Sequence, residues 1–167
     1  MGHKEHKDHS ITQVRCAVLT VSDTRTPEED TSGRAIVEIL RSFGHDTAYH
    51  GIVIDDIESI RSRVGSIIDD DWVQALVVNG GTGVARRDVT IEAVQPLIEK
   101  EIPGFGELFR MLSYEKIGSA AMMSRALAGT YKDKAIFCIP GSEKACHLAV
   151  SELIGPELGH VIWEVIK

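Results

Sequence analysis

No stretch of this 167-residue sequence approaches the roughly 18 consecutive apolar residues of a membrane-spanning helix, and no signal-type hydrophobic segment opens it. Cysteine is scarce. Cys16, Cys138 and Cys146 form no CxxC pair and are odd in number, which argues against a disulfide framework. Cys16 and Cys138 stand in apolar, strand-like runs, so buried thiols in a reducing compartment are expected. Positive charge is also short: 18 Lys and Arg face 25 Asp and Glu, a net charge of −7. That balance speaks against a broad nucleic-acid surface, which needs a basic face, but leaves room for one basic pocket built from Arg86, Arg87, Arg110 and Arg125. Internal repeats, linkers and low-complexity segments are missing too. A cytoplasmic globular protein is expected, with no membrane or nucleic-acid partner. Residues 1–13 read as a flexible polar tail and residues 14–167 as one domain.

What is present alternates between two patterns. Val14 to Val21 is a continuous, β-branched apolar run with the character of a buried strand, and it ends in the polar cluster Ser22-Asp23-Thr24-Arg25. Ile36, Ile39, Leu40 and Phe43 recur at helical spacing behind the capping residues Asp30, Thr31 and Ser32. A second strand runs from about His45 to Ile54 and ends in Asp55-Asp56. Ile57, Ile60, Val64, Ile67 and Ile68 mark the next helix, and Trp72 to Asn79 supplies a third strand. Pro96 shortens the helical stretch after Thr90, because proline lacks an N–H donor. Phe105, Leu108, Phe109 and Leu112 stripe a further helix that could face the core or a partner. Residues Ala120 to Ala128 read as a small-residue helix ending at Gly129. Lys134 to Ile139 is a strand, Ser142 caps the helix after it, and Pro156 opens the last helix. Strands alternating with helices predict an α/β fold, a mostly parallel sheet covered on both sides.

In such a sheet, ligands bind beyond the C-terminal ends of the strands. Four loops are expected there: Ser22-Asp23, Asp55-Asp56, Asn79 to Asp88, and Pro140-Gly141-Ser142. The third holds Gly80, Gly81 and Gly83, between a buried strand and a helix. It is neither a Walker A sequence nor a GxGxxG fingerprint, since the third glycine position falls on Arg86. Glycines at such a turn free backbone N–H groups for a phosphate, although they also suit a plain tight turn. Asp88 can be a helix N-cap or a Mg²⁺ ligand beside phosphates, with Asp55 as a second carboxylate. Pro140-Gly141-Ser142 is either a capped helix start or a second anion cradle. His3, His6 and His9 could share a helix face and hold a metal, but no apolar residue anchors them and a solvated tail is the expectation.

Taken together, the motifs resemble one family. Thr20-Val21-Ser22-Asp23, Asp30-Thr31-Ser32-Gly33, Gly80-Gly81-Thr82-Gly83, Arg87-Asp88-Val89-Thr90, Pro103-Gly104-Phe105-Gly106-Glu107, Ser124-Arg125-Ala126 and Pro140-Gly141-Ser142 occur in the order of the MoaB/MogA proteins of molybdenum-cofactor biosynthesis. The Asp30-to-Gly33 piece and the Phe105-to-Gly129 match resemble the MoaB branch more. The resemblance implies a three-layer α/β/α sandwich and a homo-oligomer, trimer or hexamer. It implies molybdopterin as ligand and its adenylylation by Mg-ATP, with Mg²⁺ as cofactor, ATP as substrate, and other proteins of the pathway as partners. Asp55 and Asp88 become the catalytic and metal-binding aspartates. Asn79, Gly80, Gly81, Thr82, Gly83, Ser22 and Asp23 become the phosphate and nucleotide site, and Pro140, Gly141, Ser142, Ser124 and Arg125 the molybdopterin site. Two other readings stay open: a non-catalytic molybdopterin-binding or carrier protein, and an unrelated nucleotide-binding module.

Overall fold

The computed structural model describes residues 11–167. The expectation of a solvated tail at His3, His6 and His9, like the alternative of a metal site there, lies outside the described residues. The chain runs β1 (Arg15–Val21), α1 (Thr31–Ser42), β2 (Asp46–Val53), α2 (Ile57–Ile68), β3 (Ala75–Asn79), α3 (Thr90–Val94), β4 (Lys100–Glu101), α4 (Pro103–Ile117), β5 (Leu127–Tyr131), β6 (Lys134–Ile139), α5 (Glu143–Ala149) and α6 (Gly155–Ile166). Short tight-helical turns lie at Pro27–Glu29, Gln95–Leu97 and Gly118–Met123, and a wider π turn at Val150–Ile154 joins α5 to α6.

The strands form one sheet in the order β2-β1-β3-β6-β5-β4. The four strands β2, β1, β3 and β6 are mutually parallel, and β5 and β4 add an antiparallel margin. Side chains alternate across the sheet with period two. Cys16, Val18, Ala75, Val77, Ala135, Phe137 and Ile139 face one side, where Ile36 and Leu40 of α1, Phe105 and Phe109 of α4, Cys146 and Ala149 of α5 and Leu158 and Ile162 of α6 cover them. Ala17, Leu19, Val21, Leu76, Val78, Ile136 and Cys138 face the other, beneath Ile60, Val64, Ile67 and Ile68 of α2 and Ala93 and Val94 of α3. This is the expected three-layer α/β/α sandwich, and both faces of β1 and β3 are buried because both carry apolar residues. Each fully buried Leu or Ile contributes about 1.5–3 kcal/mol. The helix starts are tied locally: Asp30 Oδ1 accepts the Gly33 N–H at 3.0 Å, Asp56 Oδ2 the Ser59 N–H at 2.9 Å, and Ser142 Oγ the Ala145 N–H at 3.3 Å.

Two expectations are corrected. The third strand begins at Ala75; Trp72 lies in the preceding turn, where Arg15 Nε donates to its carbonyl at 2.6 Å and the guanidinium sits 5.7 Å from the indole centroid. The small-residue stretch from Ala120 is not a helix to Ala128. It makes a tight turn to Met123 and then enters β5, paired antiparallel with β6. Lys132 and Asp133 turn that hairpin with φ of 49° and 59°. Gly129 is therefore not a helix terminator: a Cβ there would lie 2.7 Å from the Lys100 carbonyl, so its smallness admits the neighbouring strand.

The aromatic stripe of α4 divides. Phe105 and Phe109 are buried and stack at a centroid distance of 6.4 Å, with Phe137 edge-on to Phe105 at 5.3 Å, whereas Leu108 is exposed. Truncating Phe109 to alanine is expected to lower the unfolding free energy by about 3–5 kcal/mol, measured by urea denaturation.

Candidate functional site

The C-terminal ends of β1, β2, β3 and β6 open onto a cleft of about 590 Å³. Of the residues predicted for the site, Ser22, Asp23, Asp55, Gly80, Gly81, Thr82, Gly83, Asp88, Ser124, Arg125, Pro140, Gly141 and Ser142 all line it. Asn79 does not. It ends β3 below the loop, fully buried, and neither polar atom of its carboxamide has a hydrogen-bond partner in the structure.

The glycine loop is bound tightly to its surroundings. Gly80 donates its N–H to the Ile139 carbonyl at 3.0 Å, and its own carbonyl accepts the buried Thr90 hydroxyl at 2.8 Å. The Gly81 carbonyl accepts the Thr90 N–H at 2.9 Å. Gly80 and Gly81 have φ of 97° and 62°. A Cβ on Gly80 would run into the Val21 carbonyl, and one on Gly81 would strike Thr90 Oγ1 and come within 2.9 Å of both Asp55 carboxylate oxygens. Glycine is thus required by space as well as by φ. The loop after β6 closes in from the other side, since a Cβ on Gly141 would sit 2.9 Å from Gly80 Cα.

Three carboxylates gather at the β2 side. Asp23 Oδ1 accepts the Asp55 N–H at 2.9 Å, and Asp55 Oδ1 accepts the Val89 N–H at 3.3 Å. Partial burial pushes the Asp55 carboxyl above its ordinary pKa; the nearby charges of Asp88 and Asp23 add to this, against the Val89 N–H and the Arg87 charge. Asp88 does not cap α3, whose first flanking residue is Val89. Its Oδ2 instead accepts the Ala85 N–H at 2.9 Å and shapes the loop from within. Among the described residues, no group of three or more His, Cys, Asp or Glu converges as a complete metal cage. One or two aspartates at the edge of a phosphate loop nevertheless suit Mg²⁺, which takes few carboxylates and fills its octahedron with phosphate oxygens and water.

Arg125 occupies a place that its motif did not announce. Its Nε donates to the carbonyls of Thr82 at 2.8 Å and Gly83 at 3.0 Å, and Nη2 donates to the Asp88 carbonyl at 3.3 Å. Both remaining contacts go to the Glu92 carboxylate, at 2.5 and 3.2 Å. The hydrogen bond from Arg125 holds the Glu92 carboxyl below its ordinary pKa. The guanidinium is therefore spent on the glycine loop, which it clamps from behind. Arg87, expected in the glycine loop and in a basic pocket, lines the cleft as well; Thr24, Arg25 and Met123 also line it, and the sequence placed none of these three among the site residues. Arg25 was visible only as part of a polar strand end, because the contacts that place it come from residues 30–32 and 141.

Similarity to known proteins covers nearly the whole chain. A family model described as a probable molybdopterin binding domain matches residues 17–160. Molybdenum cofactor biosynthesis protein B of Bacillus subtilis is 51% identical across 100% of this chain and 99% of its own length. A crystal structure of a molybdenum cofactor biosynthesis protein B superposes with a TM-score of 0.88 at 52% identity, over 92% of this chain and 96% of that one. The tungsten cofactor synthesizing protein MoaB of Pyrococcus furiosus superposes with a TM-score of 0.83 at 35% identity, over 93% of this chain and 98% of that one. With the domain, the sequence and the fold agreeing over this length, the chain belongs to the MoaB/MogA family of molybdenum-cofactor biosynthesis proteins, on its MoaB branch.

Proposed function

We propose that this chain binds molybdopterin and adenylylates it with Mg-ATP. In that reaction a phosphate oxygen of molybdopterin forms a bond to the α-phosphorus of ATP, the bond from that phosphorus to the bridging oxygen breaks, and pyrophosphate leaves. The observation that carries the reading is that Asp55 and Asp88 flank a glycine-rich loop within one cleft, with no room for a side chain at Gly80 or Gly81. Asp55 and Asp88 would hold Mg²⁺, which neutralises charge on the reacting phosphates. Little covalent work falls to the protein, because positioning and charge neutralisation dominate this chemistry. Gly80, Gly81, Thr82 and Gly83 bring backbone rather than side chains to the phosphates. Ser22, Asp23, Pro140, Gly141 and Ser142 frame the remaining walls, and Ser124 lies beside the Arg125 clamp.

Self-association as a trimer or hexamer is part of the same proposal. Met111, Tyr114 and Ile117 of α4 and Met122 beyond it are exposed, an apolar face that a second copy would cover. So is action in the cytoplasm. The three cysteines are unpaired and buried, their thiols pushed up to about 12, chiefly by burial, and no helix of the described residues is long and apolar enough to cross a membrane.

Mixing the protein with Mg-ATP and molybdopterin is expected to release pyrophosphate, and Asp88→Asn to cut that release by roughly 100-fold or more with the melting temperature little changed. Pterin binding without pyrophosphate release would instead leave the chain a carrier, and ATP binding indifferent to molybdopterin a generic nucleotide module. Gly81→Val is expected to weaken Mg-ATP by roughly tenfold or more, because its side chain fills space against Asp55 and Thr90; unchanged affinity in calorimetry would remove the loop from the site. The raised pKa of Asp55 fixes the sign of the pH dependence. As pH falls Asp55 takes up a proton, and because its pKa is raised, metal-dependent activity is expected to fall off on acidification at a pH higher than the ordinary aspartate value of about 3.9. Asp23→Asn keeps an acceptor for the Asp55 N–H but removes one negative neighbour, and should move this acid limb to lower pH.

A further inference from the structure

Under the cleft, at the start of α1, lies a carboxylate with no exposed surface. Asp30 Oδ2 accepts the Thr20 hydroxyl at 2.7 Å and meets His50 Nε2 at 2.8 Å, while Oδ1 accepts the Gly33 N–H at 3.0 Å. Burial alone would push this carboxyl up, but the bonds from Thr20, Gly33 and His50, with the His50 charge, outweigh it and hold Asp30 below its ordinary pKa. Asp30 is therefore a fixed negative charge at neutral pH. A buried charge with this many partners is expensive to assemble and calls for a use beyond capping one helix.

That use is on the cleft side. Arg25 Nη1 lies 3.7 Å from Asp30 Oδ1 and donates to Ser32 Oγ at 3.1 Å. Its Nη2 donates to the Gly141 carbonyl at 3.3 Å, and Ser32 Oγ donates to the same carbonyl at 2.8 Å. One guanidinium is thus pinned where the segment after β1 meets the loop after β6, and it lines the cleft. Two of its five N–H groups go to these acceptors, so further donors remain. The other cleft arginines are placed differently. Arg125 is spent on the glycine loop and Glu92, and Arg87 stands beside Asp55 among the carboxylates. The cleft therefore has an acidic side at Asp23, Asp55 and Asp88, suited to a metal-bound phosphate chain. Its other side, at Pro140-Gly141-Ser142, has Arg25 as its cation.

We propose that Arg25 is the phosphate-recognising side chain of this second side, engaging a phosphomonoester there while Ser32 and buried Asp30 keep it in position. A planar guanidinium with spare donors matches a phosphate dianion geometrically as well as electrostatically. Two sources could supply that phosphate, the pterin and the nucleotide. The acidic side favours magnesium-bound phosphates, so the inference commits to the phosphomonoester of molybdopterin, and in this it rests on the molybdopterin reading above.

The test is a set of dissociation constants, by titration calorimetry, for molybdopterin, its dephosphorylated form and Mg-ATP. Wild type, Arg25→Gln and Arg25→Lys are compared, each checked for an unchanged melting temperature. Arg25→Gln is expected to weaken molybdopterin by roughly tenfold or more and to leave the dephosphorylated pterin and Mg-ATP within about twofold of wild type. Arg25→Lys, which keeps the charge without the fork, should fall between and serves alone if the glutamine variant does not fold. Equal weakening of both pterins would show a merely structural strut and overturn the assignment, and selective weakening of Mg-ATP would overturn the choice of phosphate. In either case wild-type binding of molybdopterin leaves the molybdopterin reading intact. A wild-type protein that binds neither pterin overturns both.

Discussion

Between the carbonyl of Val21 and the carboxylate of Asp55 there is space for a polypeptide backbone and for nothing more. Gly80 and Gly81 pass through that gap at positive φ, and every other part of the cleft is arranged around their passage. Thr90 ties both of their carbonyls, Ile139 takes the Gly80 N–H, and Arg125 grips the carbonyls that follow. A loop with its carbonyls bound from behind cannot easily turn over, so its orientation is settled before a ligand arrives. That is preorganisation, in which the ordering entropy is spent during folding rather than at binding.

The charges follow a matching division of labour. The chain is acidic overall, yet its cleft holds three arginines beside its three aspartates. The glycine loop runs between a carboxylate cluster on one side and the β6 loop on the other, with Arg125 absorbed into the scaffold by Glu92. On the proposed reading, an anionic ligand would be recognised at two points with different chemistry, through a metal at one and a guanidinium at the other. The raised pKa of Asp55 and the lowered one of Asp30 express the same design, a crowded carboxylate facing solvent and a fully satisfied one beneath it.

Much of the fold could be read from the chain. β1, β3 and β6 are short, continuous apolar runs because each is covered on both faces, and the amphipathic helices declared their buried stripes. The segment from Ala120 to Gly129 misled because small residues are compatible with helix, turn or strand, and only pairing with β6 decides. The glycine loop, the strand-end aspartates and the β6 loop were legible as chemistry, since strand ends converge in any parallel sheet. The roles of Arg125 and Arg25 were not. Arg125 is set by partners more than thirty residues away, and Arg25 by Ser32 and Asp30 together with Gly141 more than a hundred residues on, and sequence spacing carries no record of such distant contacts. Asn79 shows the converse: it directly precedes the glycines, yet the alternation of the strand turns its side chain away from the cleft.

The antiparallel margin of the sheet is narrow, and its narrowness matters outside the cleft. β4 is two residues long, Lys100-Glu101, both exposed, and Gly129 lets it lie close against β5. A sheet border with so few open backbone groups, carrying a charge of each sign, is a poor template for strands of other molecules. Where a longer apolar border would invite fibrillar stacking at high concentration, this one ends before a second chain can find a register.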